Sequence, residues 1–332
     1  MSLIEVENLS IRFRTDEGLI TAVQNISFEI GEGEILGLVG ESGSGKSVTA
    51  KALMQLNGRN TVYDPESRIT LRGDPDLDIL SLRRARHMRR IRGGDISMIF
   101  QEPMASFAPA ITVGKQMVEQ LQIHHDISAR EARQVSIDML ARVGISDAVR
   151  RFDQYAFEFS GGMRQRAMIA MALTTGPRLL IADEPTTALD VTIQAQVLDL
   201  MKELVAEFGM SILFITHDLG VIAQTAERVA VMYLGQIVET GPVREVIRHP
   251  THPYTKGLLA ALPRLDDLDA PLTPVPGDIP GPLERPDGCV FHTRCAESIA
   301  GICNLKRPAP VRVGENHNAA CFGVDVTAQA LS

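Results

Sequence analysis

Long apolar runs are missing from this chain of 332 residues. None approaches the roughly 20 residues that a helix needs to cross a bilayer, and Met1-Ser2-Leu3-Ile4-Glu5 is not the start of a secretory signal. The chain is therefore expected to be soluble and cytoplasmic, with any membrane contact made through partners. Positive charge is also short. Lys and Arg number 33 against 41 Asp and Glu, a formal net charge of -8, which argues against a nucleic-acid-binding role. The one basic concentration, Arg83, Arg84, Arg86, Arg89, Arg90 and Arg92, reads as the solvated face of a helix rather than a lipid or RNA contact. Cysteine is absent from the first 288 residues; Cys289, Cys295, Cys303 and Cys321 all lie in the tail. A reducing compartment disfavours disulfides, which leaves a metal or four unrelated thiols. With no C-x-x-C pair, the usual zinc-ribbon and ferredoxin spacings both fail.

What the chain does contain is two anion-binding turns. Gly40-Glu41-Ser42-Gly43-Ser44-Gly45-Lys46-Ser47 fits G-x-x-x-x-G-K-[ST] at every position. An apolar run, residues 34–39, predicts a buried strand before it, and residues 48–54, starting at Val48, predict a helix after it. The glycines let successive N–H groups point inward at phosphate oxygens. Lys46 is expected to reach the β- and γ-phosphates, and the Ser47 hydroxyl to ligate Mg²⁺. The second turn is Ser160-Gly161-Gly162, opening a helix whose free N–H groups also face negative charge.

Metal and water need further groups. Residues 178–182 predict a second apolar strand, ending in Asp183 and Glu184. Asp183 is expected to hold Mg²⁺. Glu184 should point elsewhere, because side chains alternate along an extended chain, and act as general base on water. A third strand, residues 211–216, leads to His217, a candidate γ-phosphate contact. Gln101 follows a run at residues 95–100, and its amide can accept from water or coordinate Mg²⁺.

In order and type, these motifs resemble the ATP-binding subunit of ABC transporters over roughly residues 1 to 245. The resemblance implies an α/β P-loop NTPase fold: a RecA-like parallel sheet, an antiparallel β subdomain and an inserted helical subdomain. It assigns a P-loop at 40–47, a Q-loop at Gln101, a signature at 159–163, a D-loop at Ala188-Leu189-Asp190 and a switch histidine at His217. It also implies ATP and Mg²⁺ as ligands, and head-to-tail packing in which Ser160, Gly161 and Gly162 close over the partner's ATP. Phe159 and Met163 replace the usual Leu and Gln of the signature. Phe13, late in the alternating segment Ile4, Val6, Leu9, Ile11, is the candidate adenine platform, with a core Phe as its rival.

The expected organisation is an ATPase core at residues 1–102 and 166–245, a helical subdomain at 103–165, and an extension at 246–332. Residues 113–123 and 129–143 read as amphipathic helices. A linker with Pro271, Pro274, Pro276, Pro280, Pro282 and Pro286 precedes the cysteines. Gly288-Cys289, Arg294-Cys295, Cys303 and Cys321 resemble the C-terminal region of oligopeptide/dipeptide importers, and the core looks like their D-type ATPase. That branch implies a [4Fe-4S] cluster on the four cysteines, with Zn²⁺ the alternative and His292 or His317 as substitute ligands. It also implies a second ATPase subunit, a non-identical F-type or another copy of this chain, two membrane permeases and an extracytoplasmic solute-binding protein. The place of action would be the cytoplasmic face of the inner membrane. A soluble ABC ATPase of DNA repair or translation would need coiled-coil insertions or a second ATPase core, and neither is present. A non-enzymatic ATP-binding regulator would not need the full catalytic set.

Overall fold

A computed structural model describes residues 1–101, 106–186, 190–262, 275–281 and 283–324. Ala188 and Leu189 of the D-loop, and Pro271, Pro274 and Pro282 of the linker, lie outside the described residues. The strands run, in chain order, β1 (Ser2–Thr15), β2 (Gly18–Gly31), β3 (Ile35–Val39), β4 (Thr61–Tyr63), β5 (Arg68–Leu71), β6 (Leu77–Asp78), β7 (Ile96–Ile99), β8 (Leu179–Asp183), β9 (Ser211–Thr216), β10 (Arg228–Tyr233), β11 (Gln236–Pro242), β12 (Val311–Gly314) and β13 (His317–Ala319). Two compact units emerge. One comprises Met1, Gly31–Glu34 and Ser81–Ile215; the other comprises Ser2–Ile30, Ile35–Leu80 and the chain from Thr216 onward.

In the second unit β1 carries a sheet ordered β2-β1-β5-β6, with β4 also on β1. Strands β4 and β5 run antiparallel to β1. The uneven alternation along β1 has a local cause. Asn8 has φ +50°, and across it the buried positions change from even, Ile4 and Val6, to odd, Leu9 and Ile11, as one irregular residue shifts the alternation of a strand by one. Strand β3 is buried along its whole length and pairs parallel with β10. Being covered on both faces, it reads as an unbroken apolar run rather than an alternating one. Strand β11 pairs antiparallel with β10, then β13 with β11 and β12 with β13. The tail, whose sequence announces only prolines and cysteines, thus adds strands to the sheet through Glu239↔Ala319 and Thr240↔Asn318.

The other unit is mostly helical around parallel β7, β8 and β9. Helix Val113–His124 buries Val113, Met117 and Leu121, and helix Ala129–Arg142 buries Ala132, Ser136, Ile137 and Leu140, each a single stripe at helical spacing. The second of these begins with a capping box between Ser128 and Glu131. The arginine run lies on and around helix Ala85–Ile91, where Arg83, Arg84, Arg86, Arg89 and Arg90 are exposed. Among the described residues no helix is long and apolar enough to cross a membrane.

Candidate functional site

The loop from Gly40 to Lys46 joins buried β3 to helix Lys46–Ala52. At Gly40 any side chain is excluded, since a Cβ would sit 2.1 Å from the Met232 carbonyl oxygen. Gly45 takes φ +102°, a conformation open to glycine and closed to most residues. Lys46 Nζ donates to the carbonyls of Gly40 (2.6 Å) and Glu41 (2.9 Å), so the ammonium is centred on the loop. The Ser44 carbonyl accepts from the Gly235 N–H at 2.7 Å, and Ser44 and Lys46 are buried while Ser42 and Gly43 are exposed. Ser47 and Val48 occupy the first helical turn, half-buried. Glu41 is held from three directions. Its N–H donates to Tyr254 Oη (2.8 Å), its carbonyl takes the Lys46 bond, and its carboxylate receives Arg294 at 2.8 and 3.2 Å.

In the other unit Asp183 ends β8, buried, in register with Ile215 of β9. Glu184 follows at φ +49° with its N–H donating to Ile215 O at 2.9 Å. Its side chain therefore diverges from that of Asp183 because the backbone turns into the left-handed region, and not because of strand alternation. A non-glycine residue there is uncommon and held only by its surroundings. Gln101 Nε2 donates to Glu184 Oε2 at 3.1 Å. The amide that sequence reasoning offered to water or metal thus holds the carboxylate expected to act as base.

The signature turn is open on one side and anchored on the other. Phe159 is buried, which retains the apolar anchor that Leu supplies in the usual motif. Ser160 and Gly161 are exposed, and a Cβ on Gly161 would meet nothing within 4 Å. Ser160 Oγ caps helix Gly161–Leu173 by accepting the Met163 N–H at 3.3 Å. Gly162 is tighter, 3.3 Å from Ile193. Asp190 caps helix Val191–Phe208 through Ile193 N at 3.0 Å. In the P-loop unit, His217 is exposed just before helix Leu219–Thr225, which Asp218 caps. Phe13 is half-buried, opposite Thr61, and so presents part of its ring outward.

The four cysteines are free thiols. Burial pushes Cys289 up to about 11, and the neighbouring Cys303, Cys321 and Cys295 raise it further. Cys295 and Cys321 are raised as well, chiefly by burial and then by their neighbours' charge. Backbone N–H groups of Ile299 and Gly323 point at Cys303 Sγ and Cys321 Sγ. Among the described residues, however, no three His, Cys, Asp or Glu side chains gather as a metal site requires. His292 Nδ1 lies 2.9 Å from the Cys289 carbonyl. His317 is not a spare ligand: it is buried at 2.8 Å from Glu239, which also accepts the N–H groups of Thr251 and His252. Burial alone would raise the Glu239 carboxyl, but these hydrogen bonds outweigh it and hold it below the usual carboxylate range.

Sequence reasoning missed Arg294 and Tyr254 as neighbours of the P-loop. The signals available were a carboxylate inside a phosphate-binding loop and an arginine next to a cysteine in the tail.

Comparison with known proteins places this geometry. Residues 23–187 match the ABC transporter family, and residues 238–303 match the oligopeptide/dipeptide transporter C-terminal region. A Brucella abortus protein named "Putative peptide import ATP-binding protein" is 49% identical over 327 residues, covering 96% of each chain. A second protein of that name in the same organism is 48% identical over 310 residues, covering 93% of this chain and 91% of its own. Among solved structures, a dimeric ATP-binding cassette in a post-hydrolysis state bound to ADP and Pi aligns with TM-score 0.64 and 26% identity. The alignment covers 73% of this chain and 99% of that one.

Proposed function

Since the chain belongs to the ATP-binding proteins of ABC transporters, we propose that it hydrolyses ATP to energise import of peptides or closely related small solutes. The observation that carries this reading is that one chain matches both the ABC transporter family and the oligopeptide/dipeptide C-terminal region. The names of its relatives support the peptide class.

The roles follow the motifs. N–H groups of residues 40–47 and Lys46 bind the phosphates, and Phe13 packs on adenine. Ser47, Asp183 and Gln101 are the residues that would hold Mg²⁺, which would supply charge neutralisation to the phosphates. Glu184 takes the proton of the attacking water, and Gln101 orients it through the 3.1 Å bond. His217 contacts the γ-phosphate. Ser160, Gly161, Gly162 and Asp190 serve a second ATPase subunit, a non-identical sister or another copy of this chain. Two permeases would receive the motion on the helical subdomain at residues 103–165, and a solute-binding protein would deliver cargo. The subunit would then sit peripherally on the cytoplasmic face of the inner membrane, without nucleic acid.

For the tail at residues 246–332, we propose that Cys289, Cys295, Cys303 and Cys321 are the ligand set of a [4Fe-4S] cluster, which would cross-link that segment structurally. The support is donor chemistry: all four cysteines of the chain fall in this segment, Cys289 and Cys303 are joined by a 2.8 Å backbone hydrogen bond, and Cys303 and Cys321 are approached by backbone N–H groups. Anaerobic purification with visible absorbance and metal analysis tests it. Zinc instead of iron reassigns the metal, and neither metal ends the proposal.

The function is tested by Glu184→Gln in the complex with its permeases. ATP binding is expected to persist while hydrolysis falls about 10²- to 10⁴-fold. Hydrolysis at the wild-type rate removes Glu184 as the base. A complex that hydrolyses ATP without peptide stimulation or uptake removes the peptide reading.

A further inference from the structure

A carboxylate in a phosphate-binding loop is a liability. The cradle works through backbone N–H groups and a lysine, and a bare negative charge at its second position would repel the triphosphate. Yet Glu41 stands there, one residue after Gly40. Its two oxygens are each met by one nitrogen of the Arg294 guanidinium, Nη1 to Oε2 at 2.8 Å and Nη2 to Oε1 at 3.2 Å. This is the two-pronged geometry that arginine, and not lysine, supplies.

Arg294 is itself fixed. Its side chain is only 4% exposed, against 26% for Glu41. Nε donates to Pro276 O at 2.9 Å and Nη2 to Val275 O at 3.2 Å, and the guanidinium carbon lies 5.7 Å from the centre of the Tyr233 ring. Tyr233, Tyr254 and Phe291 pack on one another, ring centres 4.7 to 5.4 Å apart. From that cluster Tyr254 Oη takes the Glu41 N–H. The bond network continues inward, because the Glu41 carbonyl is one of the oxygens that hold Lys46 Nζ. Arg294 and Tyr254 therefore fix Glu41, and Glu41 helps to fix the ammonium of Lys46.

We propose that Arg294, reaching from the C-terminal extension, is a positioning residue for the P-loop: it neutralises Glu41 and holds the loop, and through it Lys46, in the shape that receives ATP. The extension is thereby part of the nucleotide site and not only an appendage. This rests on the nucleotide-binding reading above.

The test measures MgATP affinity of the full-length chain by displacement of a fluorescent ATP analogue, with thermal midpoints recorded alongside. Arg294→Ala is expected to weaken ATP about tenfold or more, by leaving a bare carboxylate beside the phosphates. Glu41→Gln, which removes the charge but keeps an acceptor for Arg294, should bind ATP more tightly than Arg294→Ala does. The double variant should return close to Glu41→Gln, a rescue that a purely structural loss does not produce. If Arg294→Ala does not fold, Arg294→Lys carries the same test, weaker than wild type and restored by Glu41→Gln. Arg294 variants that bind ATP as wild type does, or a double variant no better than its Arg294 parent, overturn the inference. A wild-type chain that binds no ATP overturns the nucleotide reading, and this inference with it.

Discussion

The two anion-binding turns of this chain have opposite surroundings. The P-loop is braced on either side of an exposed tip at Ser42 and Gly43: Gly40 lies against Met232, Ser44 is tied to Gly235, and Glu41 is clamped by Arg294 and Tyr254. The signature turn is held by buried Phe159, by Ser160 capping its own helix and by Gly162 against Ile193, while Gly161 faces open space. A cradle that binds phosphate within its own chain gains from being formed in advance, since the ordering cost then falls on folding rather than on binding. A turn left exposed at Ser160 and Gly161 is open on the side where the proposed second subunit would complete it.

The contrast can be broken most severely at Gly40. Gly40→Ala drives a Cβ into the Met232 carbonyl and should cost on the order of 3–5 kcal/mol, with ATP binding lost. Denaturant unfolding and nucleotide titration check both. An unchanged midpoint would mean that the loop is less braced than its contacts imply.

Acidification should come next, acting on the unit that carries the P-loop. Burial lowers His252 to about 4 from an ordinary 6.5, so the unfolded chain binds the extra proton first as pH falls. Stability is full above about 6.5 and is lost as pH drops towards 4, by on the order of 3 kcal/mol at most. Glu239, held below its usual range, adds a loss at still lower pH. Thermal melting between pH 7.5 and 4 should show this slope. His252→Asn, which keeps an acceptor for the Tyr254 N–H, should flatten it; an equal slope in the variant would assign the acid sensitivity to other groups.

The smallest effect on stability is expected at Gly161. Gly161→Ala meets no atom within 4 Å and should leave the midpoint unchanged or slightly raised, since Ala favours a helix by about 1 kcal/mol over Gly. ATP affinity of the isolated chain should not move, while ATPase activity of the assembled complex falls. Retained activity in the complex would show that the open face of this turn is not used.

Much of the site was legible because its chemistry is local. A run of glycines before Lys46-Ser47, or an acidic pair after an apolar strand, is a contiguous pattern whose backbone consequences follow from neighbours in sequence. The helices at 113–124 and 129–142 were equally readable from spacing. Other features were not. The slip at Asn8, the turn of Glu184 into left-handed backbone and the Gln101 bond to Glu184 depend on what each segment packs against. The tail was the least legible, since proline and cysteine say nothing of strands that join β11.

By itself the sequence determined the family and its nucleotide chemistry, and it supplied the motif residues proposed to carry that chemistry, because those rest on side-chain type and short-range spacing. Only the tertiary structure decided which of those residues are braced and by what. Arg294 lies 253 positions from Glu41, and Tyr254 lies 213 from it. No periodicity spans such separations; a buried charge reveals its partner only once folding has removed water from both.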